Sequence, residues 1–340
     1  MRSRLALTRQ QIVRFRRRVN GLDERMPHSA TSLRRAAWAG LQDSMPRAAL
    51  LSLHARVESV APSDWEHPSL AQLWGPRYQT YVVPARDFAL FSLARLPETE
   101  SGRRRAEHAA ALLRGHAGRE RRTDRELARA LGVGPGSFRY AATTGTIAIR
   151  WDGARAPLVW TVPAPAIDPR DARVELARRY LHIFGPSAAV RFARWAGIAK
   201  PAAAAAFASL EDALVPVRTP LGDEWLLATD EEAACESAES VGSPRLLPSG
   251  DAYFLLLSGE ERELLLPRAD RRQQLWTSRV WPGALLLGGE IRGTWRRATH
   301  TVRISTWGRL SAGERAQIEA EALGLPLPGI ARSIEVVWEG

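Results

Sequence analysis

The sequence predicts an α+β protein in which about three tandem winged helix-turn-helix units precede a β-rich C-terminal domain. Two helices joined by a glycine turn and followed by a strand hairpin are indicated in residues 122–162. The same order of elements returns in residues 168–227. Beyond residue 243, short apolar runs broken by turns replace the helical pattern, which predicts the change to a β-rich domain.

The second unit, residues 98–165, carries the clearest local signals. Thr123 and Glu126 have the spacing of a capping box, in which each side chain satisfies an otherwise unpaired backbone donor at a helix start. Gly132 supplies the left-handed residue that ends this helix. A second helix follows, and then two β-like runs joined by an Asp-Gly turn. This order is typical of a winged helix.

The two flanking units repeat the order with little shared sequence. In residues 166–229, Asp168 begins a long helix, which two further helices and a hairpin follow. In residues 1–97, Thr8 caps an Arg-rich helix, a second helix follows, and YQTYVVP is strand-like. We interpret the three stretches as an internal repeat of winged helices.

An acidic segment separates these units from the last domain. Residues 230–243 are rich in Glu, Ala and Ser and offer little to bury, which predicts a linker. Residues 244–340 predict several short strands, one amphipathic helix at SAGERAQIEAEALG and a last strand at SIEVVW.

The charge of the chain predicts an anionic partner. Its 340 residues include 48 Lys and Arg against 37 Asp and Glu, and the net charge is +11. Lys200 is the sole lysine, so the basic charge is almost wholly Arg, whose planar guanidinium suits bidentate contacts with phosphate. A GC-rich genome explains the choice of Arg over Lys but not the excess of base over acid. Nucleic acid is therefore the favoured partner, with an anionic membrane surface as the lesser alternative.

Several other classes of protein are excluded or disfavoured. No apolar run approaches the ~20 residues that span a bilayer. Arg and Gln interrupt the N-terminal apolar stretch too often for a signal peptide, so we expect a cytoplasmic protein, nucleoid-associated when bound to DNA. Cys235 is the one cysteine, which excludes a disulfide framework and a cysteine-based zinc site. The histidines show no metal-binding spacing. We expect a monomer with no metal and no cofactor.

Three short polar residues, Gln42, Asp43 and Ser44, stand directly before an apolar helix. In the structural interpretation, Asp43 or Ser44 caps this helix. In the functional interpretation, the three side chains form the floor of an active site. Neighbouring side chains of an extended segment point to opposite sides, so an extended backbone would turn Asp43 away from Gln42. Both interpretations remain open at this stage.

Arg139 and Tyr140 lie on the second helix of the second unit, where a recognition helix faces a DNA groove or backbone phosphates. The alternative is that they only solvate and pack that helix. Both alternatives remain open.

Three segments resemble the AlkZ/YcaQ-type winged-helix DNA glycosylases. LQDSMPRAALLSLHARV, residues 41–57, is similar to the Gln-x-Gln or Gln-x-Asp pair that precedes a Pro-Arg-Ala helix in this family. LWGPRYQTYVVPARDFALF, residues 73–91, resembles the family's Arg-x-x-x-His/Tyr strand and Pro-Ala-x-Asp helix start. RLLPSGDAYFLLLSGEERELLLP, residues 245–267, resembles its Leu-Leu-Pro-x-x-Asp stretch. The matches occur in the family's order and extend over nearly the whole chain.

The resemblance implies a C-shaped array of three winged helices and a β domain, with duplex DNA in a basic concavity. It implies hydrolysis of the N-glycosidic bond of bulky N7-alkylated purines, including interstrand cross-links. Alkylation makes the base a cationic leaving group, so the enzyme mainly holds a water near C1′ and stabilises an oxocarbenium-like sugar. Within the matching segments we assign DNA contacts to Arg47, Arg56, Arg77 and Tyr81.

The chain departs from the family pattern at the second motif position. Gln42 matches the first Gln, but Ser44 stands where the family has Gln or Asp, and a hydroxyl cannot act as a carboxylate base near neutral pH. One hypothesis is an alkylpurine glycosylase that uses Gln42 with Asp43 or Ser44. The other is a non-catalytic winged-helix DNA-binding or regulatory protein. An Asp43 carboxylate beside Gln42 favours the enzyme, and bonds to the amides of residues 45–47 favour the second hypothesis.

Overall fold

The computed structural model of the protein describes residues 5–45, 47–118, 120–236, 242–255, 257–329 and 333–339. These residues form a mixed α+β structure with three three-stranded sheets and a five-stranded sheet at the C-terminal end. No helix within the described ranges is long and apolar enough to cross a membrane.

The first part of the chain places the polar triplet at the edge of a small sheet. Its elements are β1 (Leu5–Ala6), α1 (Arg9–Val19), α2 (Ala30–Ala36), β2 (Leu41–Gln42), α3 (Ala48–His54), β3 (Leu70–Trp74), β4 (Thr80–Pro84) and α4 (Phe88–Leu93). Strands β2 and β3 pair antiparallel with the two edges of β4. The predicted cap at Thr8 is confirmed, because its side chain accepts a hydrogen bond from the Gln11 amide.

The second part follows the order that the sequence predicts. Its elements are α5 (Glu100–Ala117), β5 (Arg122–Thr123), α6 (Asp124–Leu131), α7 (Phe138–Ala141), β6 (Ile147–Arg150) and β7 (Leu158–Thr161). The capping box of Thr123 and Glu126 is confirmed, and Gly132 ends α6 with a φ of 64°. Strand β7 pairs with both β5 and β6, so the hairpin forms a three-stranded sheet.

The third part consists of three helices, a hairpin and a short final helix. These are α8 (Pro169–Phe184), α9 (Ala189–Ala196), α10 (Lys200–Ala208), β8 (Leu214–Thr219), β9 (Gly222–Leu227) and α11 (Glu231–Cys235). Strand β1 pairs parallel with β8, so the start of the predicted first unit is built into this sheet. The predicted linker, residues 230–243, includes α11, and its residues 237–241 lie outside the described ranges.

The C-terminal part forms the five-stranded sheet in the order β10-β11-β12-β13-β14. Its elements are β10 (Arg245–Leu247), α12 (Gly259–Leu265), α13 (Ala269–Leu275), β11 (Gly283–Leu287), β12 (Glu290–Ala298), β13 (Thr301–Thr306), α14 (Ala312–Leu323) and β14 (Glu335–Glu339). The helix α14 and the strand β14 were predicted. Helices α12 and α13 were not predicted, and at α12 the reason is that the short leucine run of residues 264–266 suits a buried strand as well as a helix.

A shared hydrophobic core holds the first sheet against the third part of the chain. Tyr81 of β4 and Phe91 of α4 are buried in one cluster with Phe184 of α8 and Trp195 of α9. The end of α3 is joined to the loop after β10 by a buried ion pair between Arg56 and Asp251. Strand β2 therefore lies where the first, third and C-terminal parts meet.

Candidate active site

Gln42, at the end of β2, carries a side-chain amide that is unpartnered among the described residues. Its backbone pairs with Tyr81, and its half-buried side chain makes no hydrogen bond to another described residue. With Tyr81, Trp195 and Gly250 it lines a small cavity between the first, third and C-terminal parts. Gly250 closes against it, since a Cβ on that glycine would lie 3.4 Å from the Gln42 Oε1 atom. The Gln42 amide thus lies close to three parts of the fold and has no hydrogen-bond partner among the described residues.

Ser44 lies on the same side of the sheet as Gln42 and contacts Gln79. The amide of Asp43 donates to the carbonyl of Thr80 at 2.8 Å, which continues the β2–β4 pairing by one residue. The Ser44 hydroxyl donates to Gln79 Oε1 at 2.9 Å. Sequence reasoning missed Gln79. Gln79 stands two residues before Tyr81, and in an extended strand this spacing puts the Gln79 and Tyr81 side chains on one face. That spacing could have indicated Gln79 from the sequence.

Asp43 is turned into the protein on the opposite side from Gln42 and is 1 % exposed. Its Oδ1 atom accepts from the Ala49 amide at 3.1 Å, in the first turn of α3, and its Oδ2 atom accepts from Gln72 Nε2 at 2.8 Å. The carboxylate accepts from the backbone amide of Ala49 rather than from those of Met45 or Arg47, and its Oδ2 atom lies 4.0 Å from the Arg47 Nη1 atom. Burial raises the pKa of this carboxyl to about 6, although the Ala49 bond, the Arg47 charge and the Gln72 bond act against it. Asp43 therefore fixes α3 against β2.

Three of the predicted DNA-contacting side chains are directed into the protein. Arg47 stacks on Trp65, with its guanidinium carbon 3.8 Å from the ring centre. Arg56 is 2 % exposed and all three of its guanidinium nitrogens donate to buried oxygens. Tyr81 is also 2 % exposed, and its hydroxyl has no partner within the described part of the chain. Because buried side chains cannot reach a phosphate, we keep Arg56 and Tyr81 out of the DNA-contacting surface.

The other predicted DNA contacts come together at the surface. These are Arg77, Arg139 and Tyr140, which lie together with Tyr78 and Arg105, two residues that were not predicted to bind DNA; we call the five residues the Arg–Tyr cluster. Arg77 and Arg139 are exposed, and Arg139 Nη1 donates to the Tyr78 carbonyl at 3.4 Å. The rings of Tyr78 and Tyr140 meet edge to face at 5.2 Å, and the Arg105 guanidinium lies 3.8 Å from the Tyr140 ring centre. Since Gln79 follows Tyr78 directly, this cationic surface adjoins the Gln42 site.

The side chains around Gln42 include few of the groups that bind metal ions. No group of three or more His, Cys, Asp or Glu side chains suited to metal binding occurs among the residues that the structure describes. The polar groups beside Gln42 are an amide and a hydroxyl. Such groups position water and substrate by hydrogen bonds.

A family model and a solved structure match the chain. The family model, described as DNA glycosylase AlkZ-like, matches residues 35–325. The chain belongs to the AlkZ-like DNA glycosylase family. The Streptomyces sahachiroi DNA glycosylase AlkZ has a similar fold, with a TM-score of 0.76 and 18 % sequence identity over 98 % of this chain and 100 % of that one. No curated protein is significantly similar to the chain in sequence.

In this AlkZ-like chain, Gly250→Ala is expected to slow any reaction that depends on Gln42. The added Cβ would lie 3.1 Å from the Ala48 Cβ, so the Gly250 loop and the start of α3 must move apart by a few tenths of an ångström, and it would also lie in van der Waals contact with Gln42 Oε1 at 3.4 Å. We expect a loss of about 1 kcal/mol of unfolding free energy and a roughly tenfold lower rate of any such reaction. The matched control is Gly313→Ala, whose Cβ would contact nothing within 4 Å. An unchanged rate would contradict the proximity argument.

The Asp43 carboxyl of this AlkZ-like chain is expected to make stability pH-dependent. The folded protein keeps the proton up to a pH of about 6, whereas the unfolded chain releases it near 3.8. The folded state therefore binds more protons between these values, and the unfolding free energy falls as the pH rises through them, by on the order of 3 kcal/mol. Asp43→Asn cannot titrate. In urea unfolding from pH 4 to 7, the unfolding free energy of the wild type should fall relative to that of Asp43→Asn as the pH rises. If the two unfolding free energies changed with pH in parallel, the Asp43 carboxyl would not be the cause.

Proposed function

We propose that this protein is a DNA glycosylase that hydrolyses the N-glycosidic bond of bulky N7-alkylated or cross-linked purines in duplex DNA, with Gln42 as the group that contacts the reacting sugar and water. The observation that carries this proposal is the half-buried, unpartnered Gln42 amide at the junction of three parts of the fold. Membership of the AlkZ-like family supports the same reaction class.

An amide is sufficient for this reaction. Alkylation at N7 gives the purine a positive charge, so the C1′–N9 bond breaks with its electron pair moving onto the base, which leaves neutral. A water oxygen then bonds to C1′ and releases a proton to solvent. The Gln42 carbonyl oxygen stabilises the oxocarbenium-like sugar and orients this water, and neither task needs an ionised side chain.

The DNA-binding part of the proposal rests on charge and on the arrangement of elements. We propose that residues 1–97, 98–165 and 166–229 act as three winged helices of a monomer that binds double-stranded DNA. The net charge of +11 and the exposed Arg77 and Arg139 support phosphate contacts next to Gln42. Affinity for duplex DNA should fall steeply with salt, because phosphate contacts release counterions.

The second candidate function is DNA binding without catalysis. It is favoured by one specific observation, the lack of a free ionisable group on the Gln42 side of the triplet. The Asp43 carboxylate accepts hydrogen bonds from Ala49 and Gln72, and the Ser44 hydroxyl donates to Gln79, so neither candidate for a second catalytic group is unpartnered beside Gln42. Such a protein would bind alkylated and undamaged duplexes alike and release no base.

The deciding experiment incubates the protein with a duplex that carries one N7-alkylated guanine and follows free base and abasic DNA. The proposed function predicts base release by the wild type, with none from an undamaged duplex, and much less release by Gln42→Ala. Equal release by the wild type and Gln42→Ala would overturn the proposal for this substrate. Tight, salt-sensitive binding by a wild type that releases no base would establish the non-catalytic alternative.

A further inference from the structure

The triplet itself offers no second side chain that can contact the substrate beside Gln42. Ser44 occupies the second motif position, and its hydroxyl is too short to reach as far as the Gln or Asp of the family pattern. We propose that Gln79, on the neighbouring strand, supplies the second substrate-contacting amide, and that Ser44 is a positioning residue that orients it. This proposal rests on the proposed glycosylase function and names a residue that the motif does not contain.

The strand pairing brings the two amides onto one face. Gln42 stands opposite Tyr81, and the Asp43 amide bonds the Thr80 carbonyl at 2.8 Å, so the next pair is Ser44 with Gln79. Alternation along both chains puts Gln42 and Gln79 on the same side and Asp43 on the other. Diagonal neighbours of this kind have backbones about 7–8 Å apart, a distance that two glutamine side chains bridge through one water.

The hydrogen bond from Ser44 sets the direction of the Gln79 amide. Because the Ser44 hydroxyl donates to Gln79 Oε1 at 2.9 Å, the carbonyl end of the amide is occupied and the NH2 end faces away. This NH2 group donates to no other described residue, and the Gln79 side chain is half-buried. A fixed, unpartnered donor beside an unpartnered acceptor is a site for a water molecule.

The two amides then have complementary tasks. The Gln79 NH2 group donates to the oxygen of the attacking water, and this water donates to the Gln42 carbonyl oxygen. Both bonds leave a lone pair of the water directed at C1′ as the C1′–N9 bond breaks. When the new C1′–O bond forms, the surplus proton passes to solvent. Ser44 and Gln79 together thereby perform the task of the longer side chain that the family has at the second motif position. Among the described residues the Ser44 hydroxyl bonds only to Gln79, and Gln79 contacts the water.

The competing explanation is that the Ser44–Gln79 bond only joins β2 to β4. A glutamate at position 79 separates the two explanations, since its carboxylate still accepts from Ser44 but has no NH2 donor. The experiment measures single-turnover base release from an N7-alkylated duplex and affinity for the abasic product duplex. Its variants are Gln79→Ala, Gln79→Glu, Ser44→Ala and Ser44→Thr, with Gln317→Ala on the exposed face of α14 as the matched control.

We expect Gln79→Ala and Gln79→Glu to release base at least tenfold more slowly than the wild type. The affinity of Gln79→Ala for the abasic duplex should stay within about threefold of the wild-type value. Ser44→Ala should be slower and Ser44→Thr close to wild type, because threonine retains the hydroxyl. Adding Ser44→Ala to Gln79→Ala should cause no further loss, since both act through one amide.

A wild-type rate in Gln79→Glu would overturn the proposal, even if Gln79→Ala were slow, because only a structural bond would then be needed. A Gln79→Ala variant that unfolds leaves Gln79→Glu as the decisive comparison. If the wild type itself released no base, the proposed glycosylase function would fall, and this role of Gln79 with it. Base release that depends on Gln42 but not on the Gln79 NH2 donor would overturn only the proposed role of Gln79.

Discussion

Gln42→Ala is expected to lower the single-turnover rate of base release by roughly 100-fold or more, the range found when one preorganised polar group is removed from an active site. The amide makes no hydrogen bond to another described residue, so its loss removes little from the folded protein. The unfolding free energy should change by less than about 0.5 kcal/mol. Affinity for the abasic duplex should be nearly unchanged, because the Arg–Tyr cluster and the net charge are untouched.

The measurement combines rapid-quench base release, thermal unfolding and DNA binding on one set of proteins. Gln317→Ala is the matched control, since Gln317 is exposed on α14 and loses the same atoms. A Gln42→Ala protein that keeps more than half of the wild-type rate would contradict the assignment of Gln42. A protein that loses the rate together with its thermal stability would point to a structural role instead.

The local parts of this fold follow from the sequence. The caps at Thr8 and Thr123 and the left-handed Gly132 were predicted because each depends on side chains within a few residues of one helix end. The alternation that separates Asp43 from Gln42 is equally local. By contrast, the pairing of β1 with β8 joins residues about 210 positions apart. Nothing in one sequence specifies such a partner.

The candidate site was predicted only in part for the same reason. Gln42 was found because it lies within a motif. Gln79 was missed because its contact with Ser44 depends on the β2–β4 register, which a single sequence leaves open. Arg56 was assigned to DNA because it lies in a segment that resembles the family, and an arginine is usually exposed. Its buried partner, Asp251, lies 195 residues further along the chain.

The ion pair of Arg56 and Asp251 leads to the second prediction of large effect. The Arg56 side chain is 2 % exposed and the Asp251 side chain 0 %, and two hydrogen bonds of 2.7 and 2.9 Å join them. Burial alone would raise the pKa of Asp251, but the charge and hydrogen bonds of Arg56 outweigh it and hold this pKa below its ordinary value. Arg56→Ala removes that compensation and leaves a carboxylate buried beside Ser52.

We expect Arg56→Ala to lower the unfolding free energy by about 3–5 kcal/mol, the usual cost of breaking a buried pair by removing one partner. Adding Asp251→Ala should cost less than the sum of the single changes, since the second substitution removes the stranded charge. Urea unfolding of the three variants measures this coupling. Arg268→Ala is the matched control, because Arg268 makes the same two-bond contact with Asp270 at an exposed site and should leave stability nearly unchanged.

The same substitution also tests how the site is assembled. Asp251 follows Gly250, which closes against the Gln42 amide, so loss of Arg56 frees the loop that holds this amide in place. At temperatures where Arg56→Ala remains folded, its rate of base release should therefore fall several-fold while Arg268→Ala keeps the wild-type rate. A folded Arg56→Ala protein with full activity would show that the Gly250 loop does not position Gln42.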